Sequence, residues 1–145
     1  MRVNHVGYLV KDIDKSISIF QQLGYEKISE VFTEDKAQGN EKPRNVYICF
    51  MKNEGSCVEL VSPIDESSDV FSTLKRQGEG PYHICYEVEN LKDAVNSLTK
   101  EGWLVLKRPT SAIAFDGAEV VSLFRNNIGM IELVEINDML SVIAL

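Results

Sequence analysis

The chain contains an internal duplication. Residues 5–10, which read His-Val-Gly-Tyr-Leu-Val, align with residues 83–88, which read His-Ile-Cys-Tyr-Glu-Val. The offset of 78 holds without a gap until Gly24 meets Gly102. A chain that repeats itself in this way is expected to fold as two similar modules, in which equivalent residues occupy equivalent places.

A second alignment matches the later parts of the two modules. Residues 53–61 align with residues 126–134 at an offset of 73, which places one glutamate near the end of each module. Each module therefore carries one histidine near its start and one glutamate near its end. These four residues are His5, Glu59, His83 and Glu132.

Hydrophobic periodicity predicts the same βαβββ order in both modules. In the first module, Asp12 caps the helix and Gly24 ends it, and in the second module Asn90 and Gly102 take these places. The predicted strands are 3–10, 25–32, 46–51 and 56–61, then 83–88, 103–107, 119–124 and 130–136. The polar stretch 33–45 is expected to be a surface loop.

The chain is expected to be a single α+β domain, residues 1–145, whose two modules form one cupped mixed sheet. The predicted divisions are the first module at 1–63, a connection with a short helix at 64–81, the second module at 82–136 and a tail at 137–145.

Composition excludes several classes of protein. The net charge of −7 gives no electrostatic reason to bind nucleic acid. No apolar run is long enough for a membrane span, and the first residues lack the features of a secretory signal. The three cysteines cannot all pair within one chain, which favours a reducing compartment and a cytoplasmic location. Cys57 and Cys85 are expected to be small core residues.

The matched histidines and glutamates predict a metal site between the modules. A lone histidine on an apolar strand is more often a core residue than a ligand, but the chain has only two histidines and both occupy matching positions. Two neutral imidazoles and two carboxylates carry a summed charge of −2, which suits one divalent cation. Such a set leaves up to two coordination positions open, as in a catalytic centre.

The duplicated pattern resembles the vicinal oxygen chelate superfamily, also called the glyoxalase and bleomycin resistance fold. Within it, residues 5–12, 58–63 and 78–85 are most similar to the methylmalonyl-CoA epimerases. The resemblance implies a metal-dependent isomerase or epimerase with a small-molecule substrate, and it implies a homodimer. Cobalt, nickel, zinc, manganese and magnesium are all compatible with mixed nitrogen and oxygen ligands.

The resemblance also implies roles for individual glutamates. Glu132 would be both a ligand and one of the two acid–base groups that remove and return an α-proton. The second group would be Glu41, with Glu34 as the competing choice. Glu59 would take that role if the chain were instead a lyase of the glyoxalase I type.

Three other functions share this fold. The His, Glu, His, Glu ligand set is also that of bacterial glyoxalase I, a lactoylglutathione lyase. A binding or resistance protein would sequester a small molecule without a metal, and the presence of all four ligands counts against it. A ring-cleaving dioxygenase would use two histidines and one carboxylate, so Glu59 counts against that function.

Overall fold

The computed structural model describes residues 1–35, 43–111 and 118–136, and at 108–111 it describes the backbone alone. Within these ranges the chain forms nine strands and three helices, which confirms the predicted mixed α+β class. The strands are β1 (Arg2–Leu9), β2 (Glu26–Lys27), β3 (Phe32–Glu34), β4 (Val46–Asn53), β5 (Ser56–Pro63), β6 (Gly80–Val88), β7 (Leu104–Ser111), β8 (Glu119–Arg125) and β9 (Gly129–Glu135). The helices are α1 (Ile13–Gln22), α2 (Phe71–Gln77) and α3 (Leu91–Lys100).

The chain divides into two compact units. The N-terminal unit is Val6–Tyr82, and the C-terminal unit consists of Met1–His5 together with His83–Leu145. The boundary falls inside β1, so the first five residues belong with the later part of the chain. Among the helices of the described ranges, none is both long enough and apolar enough to cross a membrane.

In the N-terminal unit the strand order is β2-β4-β5-β1, and β3 also pairs with β4. Strands β1 and β5 are parallel, and the other pairs are antiparallel. Helix α1 places Ile13 and Ile17, four residues apart, on the face that packs against Met51, Val58 and Leu60. Because side chains alternate along a strand, Glu59 points to the face of β5 opposite this helix.

In the C-terminal unit the strand order is β6-β9-β8-β7. Strands β6 and β9 are parallel, and β9, β8 and β7 are successively antiparallel. Helix α3 buries Leu91 against Leu123, Ile131 and Leu133. Ile131 and Leu133 flank Glu132 on β9, so Glu132 points away from the helix, as Glu59 does in its own unit.

The helix caps confirm the predicted boundaries in both units. Asp12 Oδ1 accepts a hydrogen bond of 3.1 Å from the Lys15 amide, and Asn90 Oδ1 accepts one of 2.9 Å from the Asp93 amide. Each side chain therefore satisfies one backbone donor at the start of its helix.

The two glycines that follow the helices also have the expected conformation. Gly24 and Gly102 adopt φ angles of 96° and 100°, which are favourable only for residues without a Cβ. The duplication therefore extends from the sequence to the backbone geometry of the helix ends.

The predicted strand at 25–32 is wrong in one respect, because the structure divides it into β2 and β3. Lys27 pairs with Met51 and Phe32 pairs with Ile48, so this segment holds two more residues than the part of β4 that it faces. Ser29 explains the break, since its hydroxyl accepts a 2.9 Å hydrogen bond from the Phe50 amide that a strand carbonyl would otherwise bind. The predicted loop at 33–45 also begins later, because β3 extends to Glu34.

Candidate metal centre

His5 lies on β1 and is almost completely buried, at 1% exposure. Its Nδ1 atom is 2.8 Å from Asn4 Oδ1, and its Nε2 atom points to the imidazole of His83. The two ring nitrogens therefore face different partners, and Nε2 is the atom that faces His83 and Glu132.

His83 lies on β6 and is 4% exposed. The Nε2 atoms of the two histidines are 3.3 Å apart, and the rings meet edge to face at 79° with their centroids 5.4 Å apart. Both imidazoles thus present the same ring nitrogen to the same place.

Glu132 lies on β9 beside Cys85, where the parallel register sets it next to the strand that carries His83. Its Oε1 atom is 2.7 Å from His83 Nε2 and 4.0 Å from His5 Nε2. The Glu132 side chain is 19% exposed, whereas both histidine side chains are at most 1% exposed. Solvent or a ligand therefore reaches this group from the side of the carboxylate.

The distances among these three donor atoms fit a single metal ion. Two atoms that each lie about 2.1 Å from one ion are about 3 Å apart at adjacent octahedral positions and about 4.2 Å apart at opposite positions. The observed separations are 2.7, 3.3 and 4.0 Å, and each lies within about 0.3 Å of one of these two values. Two imidazoles and a carboxylate form a donor set typical of divalent transition metals.

Glu59 lies in the N-terminal unit, on β5. Its backbone pairs with Gly7 on one side and with Phe50 on the other. At 6% exposure it is one of the few buried charged residues among those that the structure describes. Its role as a metal ligand stays a prediction.

Glu34 lies on β3, in an ion-pair cluster that the sequence did not predict. Arg44 donates from Nε to Asp69 at 2.9 Å and from Nη1 to Glu34 at 3.4 Å. Burial raises the pKa of the Glu34 carboxyl above its ordinary value, Arg44 partly opposes this shift, and the charge of Glu59 adds to it. Glu34 reaches Arg44 because β3 pairs with the start of β4, and Asp69 reaches it because the Asp69 amide donates to the Arg44 carbonyl at 3.1 Å.

Glu41, the predicted second acid–base residue, lies outside the described residues, and so do residues 112–117 and the tail at 137–145.

Two of the cysteines lie beside the predicted ligands and are buried. Burial raises the pKa of the Cys57 thiol to about 12, and the nearby Glu59 carboxylate acts in the same direction. Cys85 is 0% exposed. A thiol with such a pKa stays protonated at neutral pH and is a poor nucleophile, which agrees with the expected role of Cys57 as a core residue.

Comparison with known proteins identifies the class of protein. Residues 4–121 match the Glyoxalase/Bleomycin resistance protein/Dioxygenase superfamily, and the chain belongs to this superfamily. The superfamily predicted from the sequence is thereby confirmed.

Several similar proteins are named as epimerases of methylmalonyl-CoA. The chain is 27% identical to the mitochondrial methylmalonyl-CoA epimerase of Dictyostelium discoideum over 123 residues, which are 84% of this chain and 69% of that protein. It is 28% identical to the ethylmalonyl-CoA/methylmalonyl-CoA epimerase of Cereibacter sphaeroides over 123 residues, which are 84% of this chain and 87% of that protein.

A solved structure has the same fold. The crystal structure of methylmalonyl-CoA epimerase from Mycobacterium tuberculosis superposes with a TM-score of 0.77 at 22% identity, covering 97% of this chain and 91% of that chain.

Proposed function

We propose that this chain is a metal-dependent epimerase that removes and returns the α-proton of a small carbonyl or acyl-thioester substrate. The proposal depends on one observation, which is that His5 Nε2, His83 Nε2 and Glu132 Oε1 lie within 4.0 Å of one another. The names of the relatives add support and point to a 2-methylmalonyl thioester as the substrate class.

Glu59 is the proposed fourth ligand. The parallel register sets it beside Gly7, which lies two residues after His5 on β1 and so has the same orientation in the strand. A carboxylate this deeply buried is costly unless a cation or hydrogen bonds compensate its charge. With the two histidines and Glu132, it would complete the set of four ligands that the sequence predicts.

This ligand set determines what a bound ion can do. Two neutral imidazoles and two carboxylates offset the charge of a divalent cation and leave up to two positions open. When bound, the cation would polarise the substrate carbonyl and so stabilise the enolate that forms when the α-proton leaves.

Glu132 is the proposed base on one side of the substrate. Its carboxylate takes the α-proton, the electron pair of the broken C–H bond moves into the bond between the α-carbon and the carbonyl carbon, and the carbonyl oxygen gains the negative charge. Return of a proton to the opposite face of the planar enolate inverts the carbon and regenerates the carbonyl. The partial exposure of Glu132 supports this role, because the substrate has to reach the base.

Glu41 is the proposed second acid–base residue, which would return the proton from the opposite face. Glu34 is the competing choice. The ion pair that Arg44 forms with Glu34 would have to loosen whenever Glu34 took up a proton, which counts against Glu34.

The carboxylate at Glu59 favours glyoxalase I-type chemistry as a second candidate function. In that reaction the proton taken from a thiohemiacetal returns to the neighbouring carbon, and the product is the thioester of a hydroxy acid. Both proton transfers would then occur beside the metal ion. Glu59, as a ligand of that ion, would be close enough to act as the second base.

A single experiment in deuterated water separates these functions. Zinc-loaded or cobalt-loaded protein is incubated with 2-methylmalonyl-CoA, and deuterium at the α-carbon is followed by mass spectrometry. Epimerase chemistry predicts metal-dependent incorporation of deuterium. A parallel incubation with methylglyoxal and glutathione tests the lyase, which predicts formation of lactoylglutathione.

Chelator-treated protein is the control for both incubations. If the metal-loaded protein exchanges no deuterium into the thioester, the proposed epimerase function is wrong. Formation of lactoylglutathione in the same preparation would establish the second candidate in its place.

Three expectations from the sequence stay predictions. These are the identity of the metal among cobalt, nickel, zinc, manganese and magnesium, the homodimeric state and the cytoplasmic location.

A further inference from the structure

A chain of hydrogen bonds leads from the protein surface to the imidazole of His5. Arg2 Nε donates to Glu87 Oε2 at 2.8 Å, and Asn4 Nδ2 donates to Glu87 Oε1 at 3.0 Å. Asn4 Oδ1 then lies 2.8 Å from His5 Nδ1. These residues all belong to the C-terminal unit, and 83 positions of sequence separate Asn4 from Glu87.

The carboxylate of Glu87 determines how the Asn4 amide is oriented. An ionised carboxylate can only accept hydrogen bonds, so the part of the Asn4 side chain that faces it must be the NH₂ group. The amide oxygen of Asn4 therefore faces His5. Arg2 fixes the carboxylate itself, since a second Arg2 nitrogen, Nη2, lies 2.6 Å from Glu87 Oε2.

The orientation of Asn4 in turn determines which ring nitrogen of His5 carries the proton. An amide oxygen can only accept a hydrogen bond, so the 2.8 Å contact requires a proton on His5 Nδ1. A neutral imidazole with that proton has its lone pair on Nε2. This is the atom that lies 3.3 Å from His83 Nε2 and 4.0 Å from Glu132 Oε1.

We propose that Asn4 and Glu87 are positioning residues of the metal centre, which hold His5 in the tautomer and ring orientation that present Nε2 to the ion. This inference rests on the proposed function only in requiring that His5 bind a metal. Partners that fix the second ring nitrogen of a histidine ligand typically raise metal affinity 10- to 100-fold. Asn4 is 6% exposed and the Glu87 side chain is 10% exposed, so water competes little for these hydrogen bonds.

Zinc affinity of four variants, measured by competition with a chromogenic chelator, tests the proposal. Asn4→Leu keeps the approximate size of the side chain but removes both hydrogen bonds, and it is expected to weaken zinc binding about 10- to 100-fold. Glu87→Gln removes the charge that orients Asn4 and is expected to weaken binding by a smaller factor. Asn96→Leu, the same substitution at an exposed position on α3, is the matched control, and it should bind zinc as the wild-type protein does.

The fourth variant reverses the direction of one hydrogen bond. In Asn4→Asp/Glu87→Gln, the amide at position 87 can donate to one oxygen of the new carboxylate, while the other oxygen still accepts from His5 Nδ1. This double variant is expected to recover most of the affinity that Asn4→Leu loses. If Asn4 and Glu87 only held β1 and β6 together, zinc affinity would not depend on whether residue 4 offers a hydrogen-bond acceptor to His5 Nδ1.

A spectroscopic measurement reports the tautomer directly. Because His5 and His83 are the only histidines, ring-¹⁵N-labelled, zinc-loaded protein gives a simple NMR spectrum, in which a His83→Gln sample assigns the His5 signals. A slowly exchanging Nδ1–H signal of His5 is expected in the wild-type protein and should be lost or exchange rapidly in Asn4→Leu.

The outcomes separate this inference from the proposed function. If the wild-type protein binds zinc and Asn4→Leu binds it equally well, the positioning role is wrong while the metal centre stands. A wild-type protein that binds no zinc would overturn both. Urea unfolding of each variant measures its stability. If the loss of zinc affinity is fully explained by a loss of stability, the positioning role is also wrong.

Discussion

The Nε2 atoms of His5 and His83 lie 3.3 Å apart, although 78 positions of sequence separate the two residues. The duplication explains this proximity, because each histidine lies at the matching position of its module and both rings turn the same nitrogen toward Glu132. Two imidazoles and one carboxylate that meet in this way are a donor set suited to a divalent metal ion.

The first prediction concerns the role of Glu132 as a base. In Glu132→Gln the amide oxygen can still act as a ligand, but the side chain can no longer take up a proton at neutral pH. The rate of deuterium incorporation into the thioester should fall about 10²- to 10⁴-fold, while zinc still binds when supplied in excess. Glu119→Gln, an exposed position on β8, is the matched control. Exchange at the wild-type rate in Glu132→Gln would exclude Glu132 as the base.

The second prediction concerns pH and Glu34. The folded protein holds the pKa of Glu34 above its ordinary value of 4.5, so it binds this proton more tightly than the unfolded chain does. The protonated Glu34 carboxyl therefore stabilises the fold fully below pH 4.5, and this stabilisation is lost as the pH rises through the pKa of the folded protein. Glu34→Gln carries no such dependence. The free energy of unfolding of Glu34→Gln minus that of the wild-type protein should therefore increase between pH 4 and pH 8.

Urea titrations of both proteins at several pH values measure this difference. Glu30→Gln is the control, because the Glu30 side chain is 92% exposed. The free energy of unfolding of Glu30→Gln minus that of the wild-type protein should change little with pH. If the difference for Glu34→Gln falls with rising pH, the ion pair with Arg44 outweighs burial, and the direction assigned to this pKa is wrong.

The third prediction concerns the apolar core of the C-terminal unit. Leu123 on β8 is 0% exposed and packs in the cluster beneath α3. Leu123→Ala should lower the free energy of unfolding by about 2–5 kcal/mol, since it removes buried methyl groups and leaves a cavity. Leu104→Ala, at a side chain 63% exposed on β7, should change it by less than about 0.5 kcal/mol. Equal effects of the two substitutions in urea denaturation would contradict this assignment of the core.

The fourth prediction uses the duplicated helix caps. Asp12→Ala and Asn90→Ala each remove the acceptor for one amide of the first helical turn. Each substitution should therefore reduce the free energy of unfolding by about 0.5–2 kcal/mol. Lys92→Ala, at an exposed position of α3, is the control and should have little effect. A capping variant as stable as the wild-type protein would show that its hydrogen bond contributes nothing net.

The sequence predicted the features that depend on local pattern and on the duplication. Asp12 and Asn90 cap their helices, and Gly24 and Gly102 end them with positive φ angles, because such signals act within a few residues of their own position. The proximity of His5 and His83 could be predicted for a different reason. Two modules with the same sequence pattern are expected to hold equivalent residues at equivalent positions.

The features that the sequence did not predict depend on contacts across strands. Ser29 breaks the predicted second strand because its hydroxyl accepts a hydrogen bond from the Phe50 amide, and no local pattern distinguishes it from any other serine. Glu87 reads as an ordinary exposed charge until the structure places it 3.0 Å from Asn4. Such contacts depend on the register in which distant strands pair. The hydrophobic periodicity of the sequence does not specify that register.

The most direct test of the metal centre is the zinc content of the protein. Wild-type protein and the His5→Ala/His83→Ala double variant are loaded with zinc, dialysed and analysed by inductively coupled plasma mass spectrometry, and circular dichroism shows that both are folded. The geometry at His5, His83 and Glu132 predicts about one ion per chain in the wild-type protein and less than about one tenth of an ion in the double variant. No bound zinc in the wild-type protein, or equal zinc in both, would contradict the metal centre.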